Sequence, residues 1–195
     1  MQTPSHTTGP GGTVVPYGDA AAPRKVDLYL DPRCPYCKRV EDTLGDTFRA
    51  AADAGTHRLA YHFGVFLDQG VVGGSHHAVA ALGAAVDEGQ DRYADYLKAL
   101  YGAQPGEETD AFADPEFLLS LAEQVPGLRT DAFEGKVRSG GYLGWVDRVE
   151  EAFEASGVQG TPTVLLDGRP LGVLGRDGQA VPPDTLRAEL SAAGR

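Results

Sequence analysis

The two cysteines of the chain, Cys34 and Cys37, stand in the sequence CPYC directly after the run KVDLYL (25–30) and the pair Asp31-Pro32. That run is typical of a β-strand. A disulfide between Cys34 and Cys37 closes a loop too small to brace a chain of 195 residues. A C-x-x-C pair that opens a helix after a strand is instead typical of an activated dithiol.

The local geometry favours Cys34 as the attacking thiol. If Cys34 is the N-cap, Pro35 occupies the first helical position, where its missing N–H costs nothing. The N–H groups of Tyr36 and Cys37 then point toward the Cys34 sulfur. Lowering a cysteine pKa from about 8.5 to about 6 requires roughly 3.4 kcal/mol, of which a helix N-terminus supplies up to ~2 kcal/mol. Cys37 is expected to be the buried, resolving thiol, and Tyr36 is expected to contact substrate.

Composition limits the classes of partner. The formal net charge of −11 argues against nucleic acids and anionic membranes, because both need clustered Lys and Arg. The longest nearly apolar run, Ala78–Val86, is too short to cross a bilayer. Residues 1–23 carry no Lys or Arg and lack the apolar centre of a secretory signal. The expectation is therefore a cytoplasmic protein, although a trimmed form of an exported protein would have the same features.

The remaining segments predict the order β-α-β, a block of helices, then β-β-α. The first helix is expected from the cysteines to about Ala54, and the last is expected at 184–193 with Asp184 as its cap. The other expected elements are an edge strand at Val14-Val15, a strand at 57–67 with a glycine interruption, helical patterns at 75–101, 115–125, 131–138 and 142–155, and a hairpin at 161–175.

This order of elements resembles the thioredoxin superfamily, and the helical block between its two halves resembles the DsbA-like thiol–disulfide oxidoreductases. The residues that carry the resemblance are GDAAAPRKVDLYLDPRCPYCKRVE (18–41) and FEASGVQGTPTVLLDG (153–168). The resemblance covers about residues 13–193. It implies an α/β thioredoxin fold at 13–74 and 157–195 and an inserted helical domain at 75–156. Residues 1–12 lie outside the resemblance, and their composition predicts a flexible leader.

The resemblance also implies the activity and the site. It implies an enzyme that exchanges disulfides with protein or peptide thiols and that is recycled by an unidentified redox partner. No cofactor is expected beyond the Cys34–Cys37 disulfide itself, and no metal. Pro162, preceded by Thr161, is expected to be cis and to lie against the cysteines. Such a bond turns the Thr161 backbone outward and leaves an edge where an extended peptide can add as a strand.

Two positions depart from the family pattern. Many thioredoxin-like proteins bury a carboxylate six residues before the first cysteine to take the proton of the resolving thiol, and Leu28 stands there in this chain. Asp27 and Asp31 are the neighbouring candidates for that proton transfer. The dipeptide of CPYC is typical of glutaredoxins, whereas the best-known DsbA proteins have Pro-His. The direction of electron flow therefore stays open.

Other functions remain as alternatives. CPYC also fits a glutathione-linked reductase, although the chain lacks a clear Gly-Gly-x-Asp signature. A non-catalytic module that binds a peptide or zinc is the alternative from another class. Zinc needs two ligands besides the cysteines, and the available histidines are poorly spaced to supply them: His6, His57, His62, His76 and His77.

Overall fold

A computed structural model describes residues 2–106 and 108–192, which contain five β-strands and seven α-helices. The strands are β1 Val15–Tyr17, β2 Arg24–Leu30, β3 His57–Phe63, β4 Thr163–Leu166 and β5 Arg169–Pro170. The helices are α1 Pro35–Asp53, α2 Gly74–Asp87, α3 Gln90–Gly102, α4 Pro115–Ala122, α5 Asp131–Ser139, α6 Leu143–Ala155 and α7 Pro183–Ala192.

The strands form one mixed sheet in the order β1-β3-β2-β4-β5. β2 lies at its centre, parallel to β3 and antiparallel to β4, with Leu28 beside both Tyr61 and Val164. β1 and β5 close the two edges in antiparallel pairs. Because five consecutive residues of β2 are buried, the strand must be covered on both faces, as its continuous apolar run indicates. The predicted thioredoxin fold is thereby confirmed.

The two faces of the sheet carry different partners. One face presents Leu28 and, beside it on β3, Tyr61, whose ring meets the ring of Tyr93 on α3. The other face presents Tyr29, which stacks on His62 and meets Phe153 of α6 edge to face. Neighbouring residues of a strand point to opposite faces, so β2 separates the α1–α3 side of the molecule from the α6 side.

Helix α1 is fixed against the sheet by its own spacing. Val40, Leu44, Phe48 and Ala52 recur every four residues and are all buried, which forms one apolar stripe. The helix ends where Gly55 takes a left-handed conformation with φ of 70°. Burial of this stripe sets the direction of α1 and therefore the position of its first turn, where the cysteines lie.

The helices α2 to α6 lie between β3 and β4 in the chain. The Ala-rich pattern at 75–101 forms two helices rather than one, because Gly89 breaks it with φ of 117°, a conformation open to glycine. The residues before β1 also pack here: Trp145 of α6 donates to Gly12 O at 2.8 Å, and the Ser5 N–H donates to Asp87 at 2.6 Å. The flexibility expected of residues 1–12 stays a prediction.

Several boundaries differ from the sequence expectations: β1 is Val15–Tyr17, and α4 ends at Ala122 and not at residue 125. β3 ends at Phe63, because the chain turns through a short 3-10 helix at Phe66–Asp68 to bring Asp68 to the start of α2. β5 spans two residues, and the hairpin then continues only as an isolated bridge between Leu174 and Ala180. α7 begins at Pro183, so Asp184 lies inside the first turn, where it pairs with Arg187, and does not cap the helix. Residue 193 lies outside the described residues.

The start of α2 is held by a buried carboxylate. Asp68, whose side chain is fully buried, accepts hydrogen bonds from the N–H groups of Ser75 (3.0 Å) and His76 (2.9 Å) and from the His76 ring (2.8 Å). Asp68 also accepts from the Gly73 N–H at 3.2 Å and from Arg33 Nη1 at 3.0 Å. Burial alone raises a carboxyl pKa, but these donors outweigh it and hold the pKa of Asp68 below its usual value.

None of the helices among the described residues combines the length and the apolar character that a membrane span requires.

We expect Asp68→Asn to reduce the free energy of unfolding by roughly 3 kcal/mol, because it removes the buried one of the two carboxylates that Arg33 and the α2 N-terminus contact. Urea unfolding measures this loss. Asp110→Asn is the matched control, since Asp110 contacts Gly74 N at 3.0 Å and the same Arg33 at 3.5 Å but its side chain is 44% exposed. Its cost should stay below about 1 kcal/mol. Equal losses in the two variants would contradict a special role for the buried carboxylate.

Candidate active site

Both cysteines lie at the N-terminus of α1 as free thiols. Cys34 is the N-cap, with extended backbone angles of φ −71° and ψ 118°, and Pro35 follows at the first helical position. Cys34 is 6% exposed and Cys37 is completely buried. The structure thus gives the two sulfurs unequal access, as the spacing predicts.

The surroundings of Cys34 favour its thiolate. They lower its pKa to about 6, chiefly through a hydrogen bond from the Cys37 thiol, against the opposing effect of burial. The backbone N–H groups of Cys37 and Tyr36 lower this pKa further. The N–H groups do not form a regular capping hydrogen bond with the sulfur, so their dipoles act at longer range.

The surroundings of Cys37 have the opposite effect. Burial raises the pKa of Cys37 well above its usual value, and the neighbouring Cys34 sulfur raises it further. The backbone N–H of Asp31 opposes this rise. At neutral pH the pair therefore holds one thiolate at Cys34 and one proton at Cys37.

Thr161 and Pro162 lie beside the dithiol. The peptide bond between them is cis, as predicted. The Thr161 carbonyl oxygen is 3.5 Å from the Cys34 sulfur, so the ring nitrogen of Pro162 lies within about 6 Å of that sulfur. The hydroxyl of Thr161 is buried and has no hydrogen-bond partner among the described residues.

Tyr36, which stands between the cysteines in the chain, is 45% exposed, and one face of its ring packs against Arg39. The Arg39 guanidinium carbon lies 4.8 Å from the centre of its ring, within the range of a cation–π contact. Arg39 is itself held by a hydrogen bond of 2.8 Å from Nη1 to Gly178 O. The Tyr36 ring thus keeps an exposed part next in sequence to the dithiol, where the sequence expectation places substrate.

The backbone and the side chain of Asp31 contact different groups. Its N–H acts on the Cys37 sulfur, whereas its carboxylate accepts from Arg33 N (2.9 Å), Ser75 Oγ (2.7 Å) and Leu67 N (3.3 Å). Burial is the main cause that raises the pKa of Asp31 to about 7. A carboxyl group with this pKa can gain or lose a proton near neutral pH.

The structure does not bring Asp27 together with the cysteines. Asp27 lies on the sheet face opposite α1, where its carboxylate binds His62 Nε2 and Lys25 Nζ, each at 2.7 Å. Leu28, its neighbour, faces α1 and is 1% exposed. The alternation of side chains along β2 thus excludes Asp27 from the position that Leu28 occupies.

The structure adds Glu41, a buried residue that the sequence analysis did not select. Glu41 lies one helical turn after Cys37 and is 5% exposed, and burial raises its pKa although Arg49 Nη1 is 2.6 Å away. Its position within the apolar stripe of α1 was a signal that could have identified it.

The end of α3 also reaches the residues around Cys34. Tyr101 Oη donates to Asp31 O at 3.1 Å, and Lys38 Nζ donates to Tyr101 O at 2.6 Å. Gln104 Nε2 donates to the backbone oxygens of Pro32 and Cys34. No sequence signal identifies these contacts, because they join segments that are far apart in the chain.

Comparison with known families gives one match that spans most of the chain. The family model described as Thioredoxin matches residues 10–187. A comparison with curated protein sequences found no match.

Solved structures give similar folds at low sequence identity. The reduced disulfide bond oxidoreductase DsbG from Mycobacterium tuberculosis superposes with a TM-score of 0.76 at 24% identity and covers 94% of this chain and 88% of its own. The thiol-disulfide oxidoreductase MdbA from Actinomyces oris gives 0.76 at 21% identity, covering 98% and 90%. BdbD from Bacillus subtilis gives 0.72 at 18% identity, covering 98% of each chain.

We expect iodoacetamide to modify Cys34 well before Cys37 in the reduced protein at about pH 7. The rate should rise with pH through about 6, where the Cys34 thiolate forms, and then level off. Peptide mapping after brief labelling identifies the modified residue. Cys34→Ser is the control, and its remaining thiol should stay almost unlabelled. Equal labelling of both cysteines would contradict the assignment.

Proposed function

Since the chain belongs to the thioredoxin family and has the fold of the DsbA-like proteins, we propose that it is a thiol–disulfide oxidoreductase that acts on protein or peptide disulfides. The observation that carries the proposal is the opposite perturbation of the two thiols beside a cis proline. The pKa of Cys34 is lowered to about 6, and that of Cys37 is raised well above its usual value. The redox group is the Cys34–Cys37 pair alone, with no further cofactor.

The proposed exchange has two steps. The Cys34 thiolate attacks a substrate disulfide, so that a Cys34–substrate disulfide forms and one substrate thiolate leaves. Cys37 then loses its proton and attacks the Cys34 sulfur, which releases the second substrate thiolate and leaves a Cys34–Cys37 disulfide. The substrate gains two electrons and the protein loses two. The reverse sequence oxidises a substrate dithiol, and the direction follows from the potential of the partner couple.

The substrate is proposed to lie as an extended chain along Thr161 and Pro162. The Thr161 carbonyl is 3.5 Å from the Cys34 sulfur, so a strand paired there brings a substrate sulfur to Cys34. Tyr36, which stands between the two cysteines in the chain, is 45% exposed and offers an apolar surface to a substrate side chain. The relatives described as thiol-disulfide oxidoreductases support this substrate class.

We expect the protein to reduce insulin or oxidise a dithiol peptide without glutathione, and Cys34→Ser to abolish both reactions. Cys37→Ser should form the mixed disulfide but fail to release it, because only Cys37 can attack Cys34 from within the protein. Mass spectrometry of the trapped species measures this. An absolute requirement for glutathione would favour the glutaredoxin-like alternative, and full activity of Cys34→Ser would refute the proposal.

We also propose that Asp31 takes the Cys37 proton during the second step, directly or through water. Its pKa of about 7 suits this transfer, and the contact of its backbone N–H with the Cys37 sulfur places the residue beside that thiol. Attack by Cys34 needs no such acceptor. Asp31→Asn should therefore slow release of a mixed disulfide by about tenfold or more while leaving its formation within about twofold.

Stopped-flow exchange with a fluorescent peptide separates these two phases. Asp27→Asn is the matched control, because Asp27 lies on the far face of the sheet. Glu41→Gln tests the other buried carboxylate near Cys37. If Asp31→Asn resolves the mixed disulfide at the wild-type rate, Asp31 is not the acceptor. A defect in Glu41→Gln alone would transfer the role to Glu41.

A further inference from the structure

The inserted helices contact the backbone on both sides of Arg33 through one side chain. Gln104, which follows α3, donates from Nε2 to Pro32 O at 2.7 Å and to Cys34 O at 3.1 Å. Gln104 is half-buried at this position. A single amide therefore bonds the carbonyl of Cys34 itself and the carbonyl two residues before it.

The chemistry of these partners determines the orientation of the amide. Both are carbonyl oxygens, which only accept, so the NH₂ end of Gln104 must face them. The amide has two N–H groups, and two acceptors lie within 3.1 Å of its nitrogen. Neither a carboxylate nor an apolar side chain of the same length can make these bonds. The position thus favours a side chain with two N–H donors.

The two hydrogen bonds of Gln104 are made to the backbone segment whose conformation sets the position of the Cys34 sulfur. Cys34 N donates to Asp31 O at 3.0 Å, which closes a turn over Pro32 and Arg33. Cys34 O accepts the first helical bond from Lys38 N at 3.1 Å. Gln104 links the turn at residues 31–34 to the start of α1, so these two segments cannot rotate independently about Cys34.

We propose that Gln104 is a positioning residue that holds the Cys34 sulfur at the N-terminus of α1 by fixing the carbonyls of Pro32 and Cys34. Gln104 carries no charge and donates to backbone oxygens, so it acts through the backbone of Cys34. The helical insertion thereby contributes to the chemistry of the dithiol. This inference rests on the proposed role of Cys34 as the attacking thiol.

The test is Gln104→Met, which keeps the length of the side chain and removes both donors without adding a charge. The Cys34 pKa, followed by thiolate absorbance of the reduced protein, should rise from about 6 to roughly 7. Iodoacetamide labelling at about pH 6 should then slow about fivefold. The equilibrium with glutathione at about pH 7 should shift about fivefold toward the disulfide form of the protein.

Gln104→Glu tests the donors by a second route. It keeps the shape of glutamine but directs a carboxylate toward two carbonyl oxygens, so the Cys34 pKa should rise at least as far as in Gln104→Met. Tyr96→Phe is the control for general loosening of α3, because it removes a buried hydrogen bond of 2.9 Å from Tyr96 Oη to Leu118 O. Its Cys34 titration should match the wild type even if its melting temperature falls.

The outcomes separate the two proposals. If wild-type Cys34 is not the thiol that reacts first, the proposed function fails. If Cys34 reacts first but Gln104→Met titrates as the wild type does, the positioning role is overturned. A shift in Tyr96→Phe as large as in Gln104→Met would also overturn it, because the effect would then follow from lost stability.

Discussion

The seat of the Cys34 sulfur at the amino end of α1 is the constraint on which the other parts of the structure converge. The buried stripe of α1 sets the direction of the helix, and β2, covered on both faces, delivers the chain to its first turn. Thr161 approaches the same sulfur from the start of β4. The junction of β2 and α1 therefore meets the cis proline at one atom, although the proline lies more than 120 residues further along the chain.

The negative charge of the protein is neutralised by pairing and hydrogen bonding close to the cysteines. A thiolate is destabilised by nearby negative charge, and in a chain with a net charge of −11 the carboxylates outnumber the cationic side chains. Close to the cysteines, the carboxylates are paired or hydrogen-bonded: Asp68 with Arg33 and His76, and Asp31 with Ser75 and two backbone N–H groups. Burial raises the pKa of Asp31 to about 7, which reduces its charge at neutral pH. The site thus keeps its electrostatic preference for an anion at sulfur.

Much of this arrangement could be predicted from the sequence. The junction of β2 and α1 follows from local signals, namely an apolar run, a proline at the first helical position and the C-x-x-C spacing. The place of Pro162 came from the resemblance, because a spacing of some 125 residues carries no local signal. The failures have the same physical basis. Asp27 and Asp31 are both near Cys34 in sequence, but the pleat of β2 sends Asp27 to the far face.

Long-range contacts were beyond prediction. Gln104 lies 70 positions from Cys34, and Asp68 lies 35 positions from Arg33, and neither belongs to a pattern that distinguishes it from a solvated loop residue. Glu41 was closer to prediction, because an acidic residue inside an apolar helix stripe is unusual. Its burial depends on Arg49, two turns further along α1, and a spacing of eight residues is longer than the pairs that sequence rules recognise.

The support of Tyr36 couples the residues between the cysteines to a distant turn. Gly178 has φ of 72°, and a Cβ there would lie 3.0 Å from Tyr36 Cε1 and 3.3 Å from Arg39 Nη1. Tyr36, Arg39 and Gly178 are therefore in mutual contact, and the residue type at each position depends on the other two. Exchanging the Pro-Tyr dipeptide for that of another oxidoreductase would remove the tyrosine ring against which Arg39 packs. Transplanting a dipeptide into this protein is thus an exchange of three positions and not of one.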